Sequence, residues 1–121
     1  MRRQRPFFYL LEGHEVRGVG EDEFAPWWVA NRERRHVAQD TLADGRWLST
    51  VFLGMDHSHG FLERPLLFET MLFASQDDLQ EEFCRRYTTW DEAAAGHAAA
   101  LKRLREGAPL EDDDDEAEED V

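Results

Sequence analysis

Two long apolar runs, at residues 47–53 (WLSTVFL) and 66–73 (LLFETMLF), constrain the fold of this chain more than any other feature. A strand that faces water on one side alternates apolar and polar residues, whereas these runs are apolar on both alternating faces. The pattern predicts two central strands of a sheet that is covered on both sides, by helices, by a second layer or by a partner subunit.

A short polar loop between the two runs carries Asp56, His57 and His59, the residues best placed for chemistry. In an extended segment the His-x-His spacing puts both imidazoles on one side, which suits Zn²⁺ or another divalent cation once a further ligand is supplied. The candidate further ligands are Glu69, His97 and His14. The alternative is that Asp56 stabilises a turn and that both histidines are surface loop residues.

The N-terminal third of the chain predicts a hairpin followed by a helix. Residues 7–11 and 16–19 are strand-like and flank a turn that contains glycine. Residues 21–35 indicate a helix, because acids begin the segment, a proline lies near its start and arginines end it. An Asp-Gly pair at residues 44–45 then predicts a tight hairpin turn before the first apolar run.

The last helix is predicted at residues 90–105. Thr89 and Glu92 form a capping box, cations gather at the C-terminal end, and Gly107 ends the segment. The predicted inner stripe of this helix consists of Trp90, Ala94, His97, Leu101 and Leu104. Residues 82–88, just before the helix, are typical of either an edge strand or an irregular segment.

The length of 121 residues suits one domain with one modest core. The element order predicts an α+β fold in residues 1–109, with an antiparallel sheet of about four or five strands and two helices. Residues 110–121 are acidic and of low complexity, so they are predicted to form a disordered tail.

The net charge of −13 is concentrated in that tail. Residues 111–120 hold nine acids and no base, which leaves 18 of the 27 acids against 14 bases in the rest, a net charge of −4. The domain is therefore only weakly acidic, and repulsion of phosphates by the tail argues against direct nucleic-acid binding. The tail residues predicted to contact a protein partner are Asp112, Asp113, Asp114 and Asp115.

Cys84 is the single cysteine, so no disulfide within the chain is expected, and we interpret it as a packing residue. No apolar segment of signal-peptide length follows the N-terminal arginines, which favours a reducing cytoplasm. The longest apolar run is far shorter than the roughly 20 residues of a membrane helix, so no membrane contact is expected. No Gly-rich phosphate loop or Cys-x-x-Cys pair indicates a cofactor, which leaves a divalent metal as the candidate.

Two further residues are candidates for catalysis. Glu69 interrupts an apolar strand, where a buried carboxylate either acts as a general base or pairs with an arginine such as Arg46 or Arg86. His97 lies on the inner stripe of the last helix, where it is either a core histidine with satisfied hydrogen bonds or a residue that completes a site with the 56–59 loop.

Trp27 and Trp28 are candidates for contact with a partner. Adjacent residues point about 100° apart on a helix, so at least one of the two lies near the boundary of the buried stripe. An exposed Trp near arginines is typical of interface hot spots, and the alternative is that both rings cover the sheet. The apolar strands also make a homodimer through a sheet face a candidate assembly.

Three phrases of the sequence resemble a small protein family of tailed bacteriophages and prophage-bearing bacteria. They are STVFLGMDHSHG (49–60), RPLLFETMLF (64–73) and RYTTWDEAAAGHAAALKRLR (86–105). The resemblance extends over residues 36–105 and implies a bacterial host cell, but the family has no assigned activity, fold or ligand. This chain departs from the family where His59 and residues 61–63 replace a glycine-rich loop, and its acidic tail is an addition to the common core.

The leading hypothesis is a phage or prophage accessory protein, not an enzyme, that binds a protein partner and modulates a host factor. The first alternative is a small metal-dependent hydrolase or ligand-binding domain that uses Asp56, His57 and His59. The second is an acidic DNA mimic that inhibits a host nucleic-acid-binding enzyme, although the weak charge outside the tail argues against it.

Overall fold

The structure, a computed structural model, describes residues 5–110. The described chain is an α+β domain with two α-helices and antiparallel strands, as the sequence predicts, and its six strands are divided between two sheets. In chain order the elements are β1 (Phe8–Glu12), β2 (Glu15–Val19), α1 (Glu21–Ala30), a 3₁₀ turn (Glu33–Arg35), β3 (His36–Thr41), β4 (Trp47–Phe52), β5 (Phe68–Phe73), β6 (Glu81–Tyr87) and α2 (Trp90–Arg105). The predicted acidic tail, except for Leu110, lies outside the described residues.

The two sheets are a hairpin, β1-β2, and a four-stranded meander in the order β3-β4-β5-β6. The Asp-Gly turn at residues 44–45 joins β3 to β4, and Gly45 has the positive φ of 96° that this turn requires. The segment before α2, which the sequence predicts as either an edge strand or an irregular segment, is the edge strand β6, and its pairing with β5 shifts register between Leu72 and Phe73. Each local turn signal therefore leads to the pairing of neighbouring strands.

Helix α1 is shorter than the predicted 21–35, because it ends at Ala30. The Asn31 side-chain amide donates to the Trp27 carbonyl oxygen at 2.8 Å, and the Asn31 backbone N–H donates to the same oxygen at 3.0 Å. Asparagine commonly ends helices in this way, because its side chain competes with the backbone for hydrogen bonds. The three arginines predicted to end α1 instead lie in and next to the 3₁₀ turn.

Helix α2 has the predicted capping box, in which Thr89 Oγ1 accepts from the Glu92 N–H at 3.1 Å and Glu92 accepts from the Thr89 N–H. Its buried stripe is Ala93, His97, Ala100 and Leu104. The predicted positions Ala94 and Leu101 are only half-buried, so the stripe is rotated by about one residue from the prediction. The small residues in the stripe let the helix axis approach the sheet closely.

Helix α2 packs across one face of the four-stranded sheet and divides the core into two apolar clusters. One cluster is Tyr9, Leu11, Phe52, Leu67, Phe68 and Ala93. The other is Leu42, Leu48, Leu72, Phe83, Ala100 and Leu104. Between them, the strand register places a buried polar row that includes Thr50 and Thr70.

Gly54 sets the position of α1 against the end of β4. Its φ of 79° lies in the left-handed region, and a Cβ at this position would come within 2.6 Å of the Trp28 ring and 2.8 Å of the Phe24 ring. A glycine is therefore required both by the backbone conformation and by the close approach of two aromatic side chains.

The other face of the four-stranded sheet is not covered by any described helix or strand, since only α2 packs broadly on this sheet and it lies on the opposite side. We call it the open face. It consists of three cross-strand rows: Thr41-Trp47-Phe73-Glu81, Gln39-Ser49-Met71-Cys84 and His36-Val51-Glu69-Arg86. The sequence predicts that the central strands are covered on both sides. The described elements cover them on one side only. No helix in residues 5–110 is long and apolar enough to cross a membrane.

Candidate functional site

The Asp56 carboxylate organises the loop that follows β4. Its Oδ1 accepts from the Ser58 N–H at 2.8 Å, the Ser58 hydroxyl at 2.6 Å and the Leu66 N–H at 3.1 Å. Its Oδ2 accepts from Arg5 Nε at 3.0 Å and Arg5 Nη2 at 2.9 Å. Both carboxylate oxygens are therefore engaged within the fold, in the turn-stabilising role that was the alternative to metal binding.

The electrostatics of Asp56 agree with this role. Burial by itself raises the pKa of this carboxyl, but hydrogen bonds from Ser58, Arg5 and the Leu66 N–H outweigh it and hold the pKa below its ordinary value. The group is consequently ionised at neutral pH and serves as a fixed acceptor.

The two loop histidines point to different surroundings. His59 has a φ of 54° and its exposed ring stacks on Phe7 with a centroid distance of 6.0 Å. His57 is half-buried, and burial together with the nearby Arg86 charge lowers its pKa. The imidazole of His57 is therefore mostly neutral at pH 7.

The predicted metal ligands do not converge. Of the candidate further ligands, His14 stacks on Trp90 at 3.8 Å, and His97 and Glu69 are engaged elsewhere in the sheet. Among residues 5–110, no group of three or more His, Cys, Asp or Glu side chains is arranged to hold a metal ion. The geometry of the described residues thus offers no support for a metal-dependent reaction.

His97 contacts β3 and β4, and not the 56–59 loop, so the hypothesis that it completes a site there is wrong. Its Nδ1 lies 2.7 Å from Thr50 Oγ1 and its Nε2 lies 2.8 Å from an Asp40 carboxylate oxygen. Thr50 Oγ1 in turn lies 2.5 Å from Thr70 Oγ1. Both threonines have no exposed surface, so no substrate can reach their hydroxyls, and the chain of contacts is structural.

Glu69 forms an ion pair with Arg86, one of the two arginines predicted as its partner. Arg86 Nε donates to Glu69 Oε2 at 2.9 Å, and the Cys84 thiol donates to the same oxygen at 3.3 Å. Burial, followed by the Glu69 charge and hydrogen bond, raises the pKa of Cys84 to about 12. Cys84 is therefore a protonated thiol at neutral pH, as expected of a packing residue and not of a nucleophile.

Trp27 and Trp28 are both half-buried and pack against the core. Their rings lie 6.0 and 6.4 Å from the Phe52 ring, between centroids. The Arg35 guanidinium stacks over the Trp28 ring at 3.7 Å. Both rings therefore pack over the sheet, which was the alternative to partner contact, and the Trp28 ring also lines a groove.

That groove, of about 670 Å³, lies between the segment after α1 and the chain that leaves β4. We call it the arginine groove. Its lining residues are Trp28, Val29, Arg32, Arg35, His36, Val51, Phe52, Leu53, Met55 and His57. Among residues 5–110, no carboxylate lines it, and Arg35 Nε is buried without a hydrogen-bond partner. Burial and the neighbouring Arg32 charge lower the pKa of Arg35, which marks a locally uncompensated positive charge.

The arginine groove is continuous with the open face, because Val51 belongs to both. The open face carries an apolar patch: the rings of Trp47 and Phe73, in one end row, lie 5.4 Å apart, and Met71 in the middle row is half-buried beside them. Sequence reasoning identified these strands as apolar on both faces and offered a sheet face for a homodimer, but it did not decide which face stays open. The number of predicted helices could not decide this, because α1 packs against β1 and α2 is the helix that packs broadly on the four-stranded sheet.

The open face and the arginine groove together form the candidate site. No protein-family model, curated protein or solved structure matches the chain. The predicted partner contacts at residues 112–115 lie outside the described residues.

Proposed function

We propose that this protein acts by binding another protein through its open face. The observation that carries the proposal is a sheet face with Trp47, Val51, Met71 and Phe73 that no described element covers. Burial of apolar surface is favourable by about 25 cal/mol per Å², so a partner that covers these side chains is held by the same effect that stabilises the core.

The composition of the open face is that of a binding surface. Aromatic residues, Met and Arg are enriched in protein interfaces, and the surface presents Trp47 and Phe73, Met71, and Arg86. The charged side chains of Glu81 and Arg86 lie on the edge strand β6, whereas the polar Ser49 lies in the middle row. The Glu69 carboxylate beneath Arg86 is already hydrogen-bonded, so covering the surface leaves no buried charge without a partner.

The catalytic alternatives have less support. Asp56, Glu69 and His97 each donate to or accept from groups of the same chain, and in the described part of the chain none lines a cavity with a nucleophile. A DNA mimic needs an array of ordered carboxylates, whereas the open face carries both signs of charge. We further propose the cytoplasm of a bacterial cell that carries a phage or prophage as the setting, which the sequence phrases at 49–60 and 86–105 support by resemblance.

The proposal is tested by immobilising the full-length protein and measuring which proteins it captures from host-cell extract. A variant of the open face is compared with a matched control variant. Met71→Asp places a charge at the centre of the open face, whereas Ala98→Asp places the same charge on the exposed side of α2. We expect the wild type and Ala98→Asp to capture the same proteins, and Met71→Asp to capture at least tenfold less of them by quantitative mass spectrometry. The comparison is then repeated with the purified partner. Equal capture by Met71→Asp would contradict the proposal.

A further inference from the structure

The partner of the open face can be specified further from the distribution of charge on it. We infer that this partner is a second copy of the chain, packed face to face about a twofold axis that crosses the strands. This inference rests on the proposed function, because it assumes that the open face is a binding surface.

The two ends of the open face carry opposite charges. The row at one end contains Arg86, which is paired with Glu69 in the same row, so the excess positive charge at this end comes from Arg32 and Arg35 of the adjoining arginine groove. The row at the other end contains Glu81, and the preceding loop adds further acids. These loop acids are Asp77 and Asp78.

The acids and arginines at the two ends are available for contacts with a partner. Among residues 5–110, no ion pair involves Glu81, Asp77, Arg32 or Arg35. Arg86 uses Nε for Glu69, but its side chain remains 41% exposed and its terminal nitrogens have further donors. Because the two ends carry opposite charges, the open face is complementary to a second copy that is turned end for end, so that the positive end of one copy meets the negative end of the other.

The twofold symmetry decides which residues meet. A half-turn about an axis that lies between the sheets and crosses the strands reverses strand direction and keeps β6 opposite β6. This rotation brings Arg86 against the partner's Glu81, Val51 against the partner's Trp47, and Glu69, still paired with Arg86, against the partner's Phe73. Met71, in the middle row, lies opposite the partner's Met71.

The other face-to-face arrangement has an axis parallel to the strands and places β3 opposite β6. It brings Arg86 against the partner's His36 and leaves Glu81 against the partner's Thr41. Because this arrangement forms no pair of opposite charges between the end rows, electrostatic complementarity favours the axis that crosses the strands.

The size of the open face sets the expected strength of association. Strands about 4.8 Å apart and six residues long give a sheet face of roughly 400 Å² in outline. This is small beside the roughly 800 Å² per partner of a standard interface, although the arginine groove and the acidic loop extend the contact. We therefore expect a dissociation constant in the micromolar range.

Analytical ultracentrifugation of the full chain, from about 1 to about 500 μM, tests for the second copy across the micromolar range. The mass is expected to rise with concentration from 14.2 kDa toward twice that value. Met71→Asp sets two like charges opposite each other at the axis, so it should weaken association at least tenfold, and Ala98→Asp should leave association unchanged. A wild type that stays at the monomer mass at the highest concentration would overturn the inference.

A charge exchange tests the orientation. Glu81→Arg places like charges against Arg86, and the double variant Glu69→Gln with Arg86→Glu places like charges against Glu81 without leaving a buried carboxylate unpaired. Each should associate at least tenfold more weakly alone, and an equal mixture of the two should regain the wild-type association. A mixture that stays monomeric, with both variants folded by circular dichroism, would rule out the axis that crosses the strands.

These results separate the second copy from the general proposal. If the wild type is monomeric but Met71→Asp still loses a captured protein, the inference about the second copy fails and the proposed function stands. If the wild type is monomeric and Met71→Asp captures as well as the wild type, both fail.

Discussion

Cys84 and Arg86 both donate to one oxygen of Glu69, at 3.3 and 2.9 Å, so two residues of the open face share a single acceptor. The Arg86 charge pairs with the Glu69 carboxylate, and the negative charge of Glu69 disfavours a thiolate at Cys84. One ion pair thereby makes an otherwise costly carboxylate acceptable in a strand and keeps the neighbouring thiol unreactive.

The Cys84 thiol is expected to react slowly with iodoacetamide. With its pKa raised to about 12, chiefly by burial and then by Glu69, the thiolate fraction at pH 8 is about one in ten thousand. An unperturbed thiol, with a pKa of 9.0, has about one in ten as thiolate, so alkylation of the folded protein should be about a thousandfold slower than in urea. The rate should rise about tenfold per pH unit up to pH 11.

The Glu69→Gln variant tests the second cause of this pKa shift. Removal of the carboxylate charge should lower the pKa of Cys84 and speed alkylation at pH 8, while burial keeps the rate below that of the unfolded chain. Both rates are measured by mass spectrometry at about 0.05 μM protein, below the micromolar range in which copies are expected to cover the thiol. Equal rates in the variant and the wild type would contradict the role of Glu69.

Helix α2 and the four-stranded sheet are held in register by a polar row between two apolar clusters. His97 contacts Thr50 at 2.7 Å and Asp40 at 2.8 Å, so a rotation or shift of the helix breaks both contacts and leaves buried polar groups unsatisfied. Gly96, next to His97, allows a second close approach, since a Cβ there would overlap the Tyr87 ring. The position of α2 on the sheet is therefore determined by directional hydrogen bonds as well as by the burial of apolar side chains.

Gly96→Ala is expected to destabilise the protein, although alanine is favoured over glycine in helices by about 1 kcal/mol. The added methyl group overlaps the Tyr87 ring, and overpacking of this kind costs about 1–3 kcal/mol, so the net free energy of unfolding should fall. Urea titrations followed by circular dichroism measure the change. In a Tyr87→Ala background the same glycine substitution should instead stabilise, and destabilisation in both backgrounds would contradict the assigned overlap.

The whole molecule combines a weakly charged domain with a strongly acidic terminal segment. The net charge is −13 for the chain and −4 without residues 111–120, so two copies that meet through their open faces carry a strong mutual repulsion. Association therefore has to overcome this long-range repulsion, which arises from the net charge of the chain and not from the local contacts on the open face.

Added salt is expected to strengthen the association of the full chain. At about 0.02 M salt the screening length exceeds 20 Å, whereas at about 0.5 M it is near 4 Å, so repulsion between the acidic segments is removed. Deletion of residues 111–120 should strengthen association at low salt and reduce its salt dependence, which sedimentation at both salt concentrations measures. Association that weakens with salt in both chains would show that the end-row ion pairs, and not the net charge, dominate.

The sequence alone was enough for the features that depend on neighbours along the chain. The capping box at Thr89, the Asp-Gly turn and the acidic segment are local patterns with a local physical cause, and the first two are confirmed. The end of α1 was missed although Asn31 is itself a local signal, because the arginines that follow were interpreted as the last turn of the helix.

Only the tertiary structure decided which candidate residues meet. Asp56 is bound by Arg5 from 51 positions earlier, and His97 is bound by Asp40 from 57 positions earlier. No spacing within the sequence predicts such contacts, because they depend on how separate elements pack. Periodicity likewise showed that the central strands are apolar on both faces, but the placement of α2 decided which face stayed open. A single helix can bury only one side of a sheet, and the uncovered side is where the function is proposed.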